Sequence, residues 1–122
     1  MSEPCNLDPA ALERLHLLGG PNFVVKMIDL FLSYVAEKIV EARAAQVTGD
    51  LPGVANAAHP IKSSGANIGA CRVRKLATRL EALAMQGRGD TLGGLIGELE
   101  QAFVAVRPEL EDKKKSALCQ AS

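Results

Sequence analysis

Apolar residues recur along most of this chain at spacings of three and four, which is the period of an amphipathic helix. The clearest stripe lies in the segment 21–47 and is made by Val24, Ile28, Phe31, Val35 and Ile39. Similar stripes occupy the segments 51–66, 70–86 and 92–110. The pattern therefore predicts four substantial helices, each with one face available to a shared core.

The breaks between these stripes carry residues that begin or end helices. Asp8-Pro9 is a typical helix start, because Asp accepts hydrogen bonds from free N–H groups and Pro fits the first turn. We expect a short helix over residues 9–18 that ends at Gly19-Gly20. The other connections are also short, which favours antiparallel neighbours. We therefore predict an all-α fold, an antiparallel up-down-up-down four-helix bundle with a short N-terminal cap helix.

The length of 122 residues fits one domain, and no linker or internal repeat divides the chain. We assign residues 1–112 to this helical bundle domain. Pro108 is a position at which the last helix would kink or end. Residues 113–122 show no apolar periodicity, so we expect a disordered C-terminal tail.

Composition narrows the class of protein. Hydrophobic residues make up 48% of the chain, which argues against disorder, and aromatic residues only 3%, which disfavours base-stacking surfaces. The formal net charge is zero, so general nucleic-acid binding is not expected. The most apolar stretch, 23–36, is interrupted by Lys26 and Asp29 and is too short to span a bilayer. Residues 1–6 lack the features of a signal peptide, so we expect a cytoplasmic protein without membrane association.

The neutral total hides a local imbalance. The stretch 51–80 contains no Asp or Glu, but it holds five cations, Lys62, Arg72, Arg74, Lys75 and Arg79. Such a stretch would attract phosphate or an acidic partner, although a solvated basic helix face is the simpler alternative. The three cysteines are far apart in sequence, so the short-spaced pairs of a metal site are missing and no metal is expected.

His59 is the residue best placed for chemistry. If Ile61 faces the core, His59 lies about 200° around the helix axis and faces outward. Lys62 lies one turn further along on the same side, and the other helical neighbours are small or polar: Ala55, Asn56, Ser63 and Ala66. A neutral imidazole is a nucleophile near pH 7, and a phosphoryl group added to it would bring about two negative charges that Lys62 can offset.

The residues around this histidine resemble a known signature. The run Ala-His-Pro-Ile-Lys-Ser-Ser-Gly-Ala-Asn-Ile-Gly-Ala over residues 58–70 is similar to the motif of histidine-containing phosphotransfer (HPt) domains. The resemblance extends roughly over residues 7–110. It implies a four-helix bundle that relays phosphoryl groups between receiver-domain aspartates in a two-component phosphorelay, without kinase or phosphatase activity of its own.

The resemblance also implies roles for single residues. His59 would be the phosphoacceptor, usually at Nε2, and Lys62 the partner that stabilises the phosphate charge. Ser63 and Ala66 would belong to the partner-binding surface, which we extend to Ala55 and Asn56. The partners would be receiver domains of response regulators, hybrid histidine kinases, or both. No cofactor is expected, since a receiver domain would bring its own Mg²⁺, and one bundle can bury all its stripes as a monomer.

Two residues depart from the family pattern. Many members have Gly where this chain has Ser63, a change that a small hydroxyl side chain should tolerate. Pro60 disfavours helical geometry at His59 and removes the N–H that would bond to the Asn56 carbonyl, so it predicts a kink at the site.

Two further hypotheses remain open at this stage. The bundle could dock on a receiver or a kinase without accepting phosphate. A histidine-kinase dimerisation domain also presents a histidine on a helix, but the chain has no Gly-rich nucleotide loop and Pro60 replaces the usual acidic residue. His16 has no comparable neighbours and is interpreted as a structural histidine.

Overall fold

The four stripes become four helices in the computed structural model, which describes residues 6–121. The helices are α1 Pro9–Val47, α2 Leu51–Ile68, α3 Cys71–Met85 and α4 Leu92–Ala121. Helix α1 packs against α2 and α4, and α3 packs against the same two helices. With the short connections, this is the neighbour pattern of an up-down-up-down bundle. The predicted all-α four-helix bundle is confirmed.

The predicted cap helix is the first part of α1. Gly20 has φ 79° and ψ −173°, a conformation that favours glycine, and it kinks the chain just before Pro21. Residues 9–19 therefore form a separate helical segment that folds back onto the bundle. Its N-terminus is capped by Asp8, whose carboxylate accepts a hydrogen bond from the Ala10 N–H at 3.0 Å. Leu12 and Leu15 bury this segment against the core.

The expected disordered tail is wrong for the described residues. Helix α4 continues through Pro108 and reaches Ala121. Leu110 and Ala117 lie two turns apart and are both buried, while Lys114 forms an ion pair with Asp29 of α1 at 2.7 Å. One buried alanine and one cross-helix ion pair leave no apolar stripe in the sequence, which is why periodicity misses this extension.

The interior of the described bundle is mainly aliphatic. The largest fully buried side chains are Ile28, Ile61, Ile68, Leu80, Leu92, Ile96, Leu99 and Leu110. The rings of Phe31 and Phe103 join this core with centroids 5.9 Å apart. Among residues 6–121, no polar or charged residue is buried. Any function therefore belongs to the surface of the bundle.

Helices α2 and α3 form a tight hairpin that carries the predicted site. A Cβ atom at Gly65 would lie 3.2 Å from the backbone nitrogen of Arg74, so glycine allows the two helices to approach closely. Gly69 ends α2 in the left-handed conformation, with φ 86°. The turn that follows is short, and α3 begins at Cys71. The hairpin is thus fixed in register by backbone contacts.

Candidate functional site

Helix α2 places His59 on the outer surface of the bundle. Ala58 and Ile61 are fully buried, whereas 62% of the His59 side chain is exposed. The outward direction predicted from the helical period is therefore confirmed. Because Ala58 and Ile61 anchor the helix on either side of it, the backbone of His59 is held firmly while its ring is open to solvent.

Pro60 does not interrupt the helix at this point. Helix α2 is continuous from Leu51 to Ile68, with Pro60 inside it. Since proline has no N–H, the Asn56 carbonyl lacks its usual partner within the helix. The buried neighbours Ala57, Ala58 and Ile61 supply the packing that holds a helix together at such a residue. Helix α2 is therefore not broken at Pro60, and the kink expected from the sequence stays a prediction.

The ring of His59 is held by a carboxylate from the neighbouring helix. Its Nδ1 lies 2.9 Å from Oε2 of Glu81 on α3. The second oxygen of the same carboxylate accepts a hydrogen bond from Lys62 Nζ at 2.6 Å. The Glu81 side chain is only 16% exposed. One carboxylate therefore bridges the two residues that the sequence singled out.

The charge state of Glu81 determines which nitrogen of His59 carries the proton. The hydrogen bond from Lys62 and, to a smaller extent, the one from His59 lower the pKa of Glu81, against the opposing effect of burial. An ionised carboxylate only accepts hydrogen bonds, so Nδ1 must be the donor. In the neutral ring Nε2 then keeps its lone pair, and no hydrogen bond to it is formed by residues 6–121. The free nitrogen is the one that can attack an electrophile.

The predicted partner-binding residues surround this histidine. Asn56, Ser63 and Ala66 are exposed, and Ala55 is half-buried against the core. Ala55 and Asn56 line an open cleft of about 530 Å³ that also borders His59 and Glu81. The side chains next to the imidazole are mostly small, so another protein can approach it closely. Their role in binding stays a prediction.

Glu81 is the site residue that sequence reasoning missed. It follows directly after the acid-free stretch 51–80 and comes from a different helix. A signal for it does exist in the sequence. In an antiparallel hairpin that turns at Gly69 and Ala70, positions at similar distances from the turn face each other. His59 lies ten residues before Gly69 and Glu81 eleven residues after Ala70. The pairing also means that the charge of Lys62 is already compensated.

Other features of the described chain lie apart from this site. His16 is exposed, and its Nε2 lies 3.1 Å from the side-chain oxygen of Gln120, as fits a structural histidine. Between residues 6 and 121, no group of three or more His, Cys, Asp or Glu is placed to hold a metal ion. Over the same range, none of the helices combines the length and the apolar character needed to cross a bilayer.

The fold and the site define a class of protein, a helical bundle that presents a carboxylate-oriented imidazole on its surface. The model of the Hpt domain matches residues 26–112, which is most of the chain. The chain therefore belongs to the Hpt domain family, the histidine phosphotransfer proteins of two-component phosphorelays. The family predicted from residues 58–70 is confirmed.

A solved structure agrees with this assignment. The chain is similar to the crystal structure of histidine-containing phosphotransfer protein B (HptB) from Pseudomonas aeruginosa PAO1, with a TM-score of 0.86 and 26% sequence identity. The match covers 94% of this chain and 98% of that chain, so the two bundles correspond over almost their whole length. A comparison with curated proteins finds no significant match.

Proposed function

We propose that His59 is the phosphoacceptor through which this chain relays a phosphoryl group between receiver-domain aspartates. The observation that carries the proposal is the hydrogen bond between Nδ1 and Glu81, because in the neutral form of this exposed ring it leaves the lone pair on Nε2. A nucleophile needs its lone pair free and its direction fixed, and this contact supplies both. The family signature points to the same histidine.

The transfer step follows from this geometry. The Nε2 lone pair attacks the phosphorus of a receiver's aspartyl phosphate, forming the N–P bond as the bond from phosphorus to the aspartate oxygen breaks. The aspartate leaves as a carboxylate with the electron pair of that bond. Positive charge develops on the imidazole, and the Nδ1–H bond to Glu81 stabilises it. The return step to a second receiver is the same reaction in reverse.

Lys62 has a second role in this proposal. In the resting site its ammonium group donates to Glu81 at 2.6 Å, and about one-third of the Lys62 side chain is exposed. After transfer, the phosphoryl group on Nε2 offers three acceptor oxygens and about two negative charges one helical turn away. The flexible lysine side chain can then turn toward the phosphate, while Glu81 keeps the Nδ1–H bond. Transfer needs positioning and charge compensation rather than a base on this chain.

The remaining chemistry belongs to the partner in this proposal. Receiver domains of response regulators or hybrid histidine kinases supply the aspartate and the Mg²⁺ that stabilises the transferring phosphoryl group. The chain itself needs no cofactor and has no kinase or phosphatase activity of its own. We also propose a cytoplasmic location. We propose a monomer because one bundle buries the four apolar stripes.

A labelling experiment tests the phosphoacceptor. Receiver domains of the source organism are charged with radiolabelled phosphate and mixed with the full chain, and the label on the chain is tested for acid and base stability. We expect an acid-labile, base-stable label that His59→Gln abolishes, while the matched control His16→Gln retains it. Label that persists in His59→Gln would refute the assignment. Binding of a receiver without any label would favour a docking module that does not accept phosphate.

A further inference from the structure

Two arginines from different helices line a small cleft on the same face of α2 as His59. Ala66 follows His59 by two helical turns, which places it about 10 Å away along the helix axis on the same side. Beside Ala66 lies a cavity of about 210 Å³ whose walls include Arg14 of α1 and Arg74 of α3. We call this feature the arginine cleft. Along α2, the arginine cleft and the cleft lined by Glu81 lie on opposite sides of His59.

The positive charge of the arginine cleft is not compensated within the described chain. Neither Arg14 nor Arg74 forms an ion pair with any of residues 6–121. Asp8 also borders the cleft, but its carboxylate caps α1 through Ala10 and is not within ion-pair distance of either arginine. Lys62, by contrast, is paired with Glu81. Among residues 6–121, nothing therefore prevents an outside carboxylate from pairing with the guanidinium groups of the cleft.

Rigid backbone contacts fix the position of both arginines. The close approach at Gly65 holds the backbone of Arg74 against α2. The Asp8 N–H donates to the Gly69 carbonyl at 2.7 Å, which ties the start of α1 to the α2–α3 turn. Arg14 lies two turns into this anchored segment. The backbone of the cleft is therefore preorganised, and a partner has to order only the two exposed arginine side chains.

We propose that the arginine cleft binds a carboxylate-bearing segment of the receiver domain while that domain's aspartate meets His59. The inference rests on the proposed function, since it concerns the partner of the same surface. A separation of about 10 Å falls well within one protein–protein interface of ordinary size. Planar guanidinium groups bind carboxylates in a bidentate way, and opposite charges accelerate encounter and fix orientation. The cleft would therefore select acidic receivers and align them.

Charge reversal tests this inference with the full chain. Arg14→Glu/Arg74→Glu is compared with Arg88→Glu/Lys115→Glu, which makes the same change in net charge at exposed positions outside the cleft. The probe is the charged receiver domain that labels the wild type fastest, and the readout is the transfer rate constant against ionic strength. For the cleft variant we expect about a tenfold slower transfer at low salt and a weaker salt dependence. The control variant should transfer at close to the wild-type rate.

A milder variant and two further probes complete the test. Arg14→Gln/Arg74→Gln should show an intermediate loss of rate with unchanged thermal stability, which separates lost binding from misfolding. Equal rates in the cleft and control variants would overturn the inference, although labelling of the wild type would leave the proposed function standing. The second outcome that would overturn the inference concerns other polyanions. If the wild type bound duplex DNA or phosphatidylserine vesicles, and the cleft variant lost that binding but kept its transfer rate, the cleft would serve a different polyanion.

Discussion

Replacing Glu81 by Gln removes the negative charge that orients the His59 ring and keeps the side chain nearly the same size. In the wild type, the carboxylate accepts from Nδ1 at 2.9 Å and from Lys62 at 2.6 Å. A glutamine can present either its oxygen or its NH₂ group to Nδ1, so it no longer requires the proton to be on that nitrogen. We therefore expect Nε2 to be protonated in part of the molecules, and transfer to slow.

The size of the effect follows from the strength of the contact. A hydrogen bond to a charged group contributes about 1.5–3 kcal/mol and a neutral one about 0.5–1.5 kcal/mol, so removing the charge costs about 1 kcal/mol. Water screens part of this, since the His59 side chain is 62% exposed. A remaining loss of about 0.5–1 kcal/mol corresponds to about a two- to fivefold slower transfer. Glu81→Ala, which removes the acceptor completely, should slow transfer by about tenfold.

Two measurements check this prediction. Ring-nitrogen NMR of the free protein reports which nitrogen of His59 carries the proton, and we expect the Nδ1–H form to dominate in the wild type and to lose population in Glu81→Gln. Rapid-mixing transfer from a charged receiver domain gives the rate constant. Glu98→Gln is the matched control, because Glu98 is an exposed carboxylate on α4 outside the site. An unchanged tautomer and rate in both Glu81 variants would refute the reasoning.

Three further predictions concern stability. In the folded state the pKa of Glu81 lies below its ordinary value of 4.5, so the ionised carboxylate stabilises the fold above that pH. This stabilisation is lost as pH falls through the folded-state pKa. The unfolding free energies of wild type and Glu81→Gln, measured with denaturant, should therefore converge in acid. Gly65→Val should lower the unfolding free energy by about 1–3 kcal/mol in the same assay, because its side chain would meet the Arg74 backbone. Gly94→Val is the control: its Cβ has open space and valine forms helices slightly better than glycine, so the unfolding free energy should stay the same or rise slightly. Deleting residues 113–122 should lower Tm by a few degrees in a calorimetric scan, because it removes buried Ala117 and the Lys114–Asp29 ion pair, and an unchanged Tm would contradict that role.

Much of the structure could be predicted from local patterns in the sequence. A helix repeats every 3.6 residues, so the buried positions Val24, Ile28 and Phe31 could be recognised from spacing alone. The same period placed His59 opposite buried Ile61, and its exposure is confirmed. The break at Gly20 was readable because Gly-Gly-Pro ends one helix and starts the next. Each of these features depends on neighbours within about two turns.

Features that depend on packing between helices could not be read in this way. Glu81 lies 22 residues from His59 along the chain, and Arg14 is still further from Arg74. Their meeting depends on the register of α2 against α3 and on the anchoring of α1 at Gly69, which no local period encodes. The extension of α4 to Ala121 was likewise decided by contacts with α1. The sequence by itself determined the four apolar stripes and the exposure of His59, because these depend only on the period of a single helix. Only the tertiary structure decided which charges meet that histidine and which stay unpaired, because these distances depend on how the helices pack.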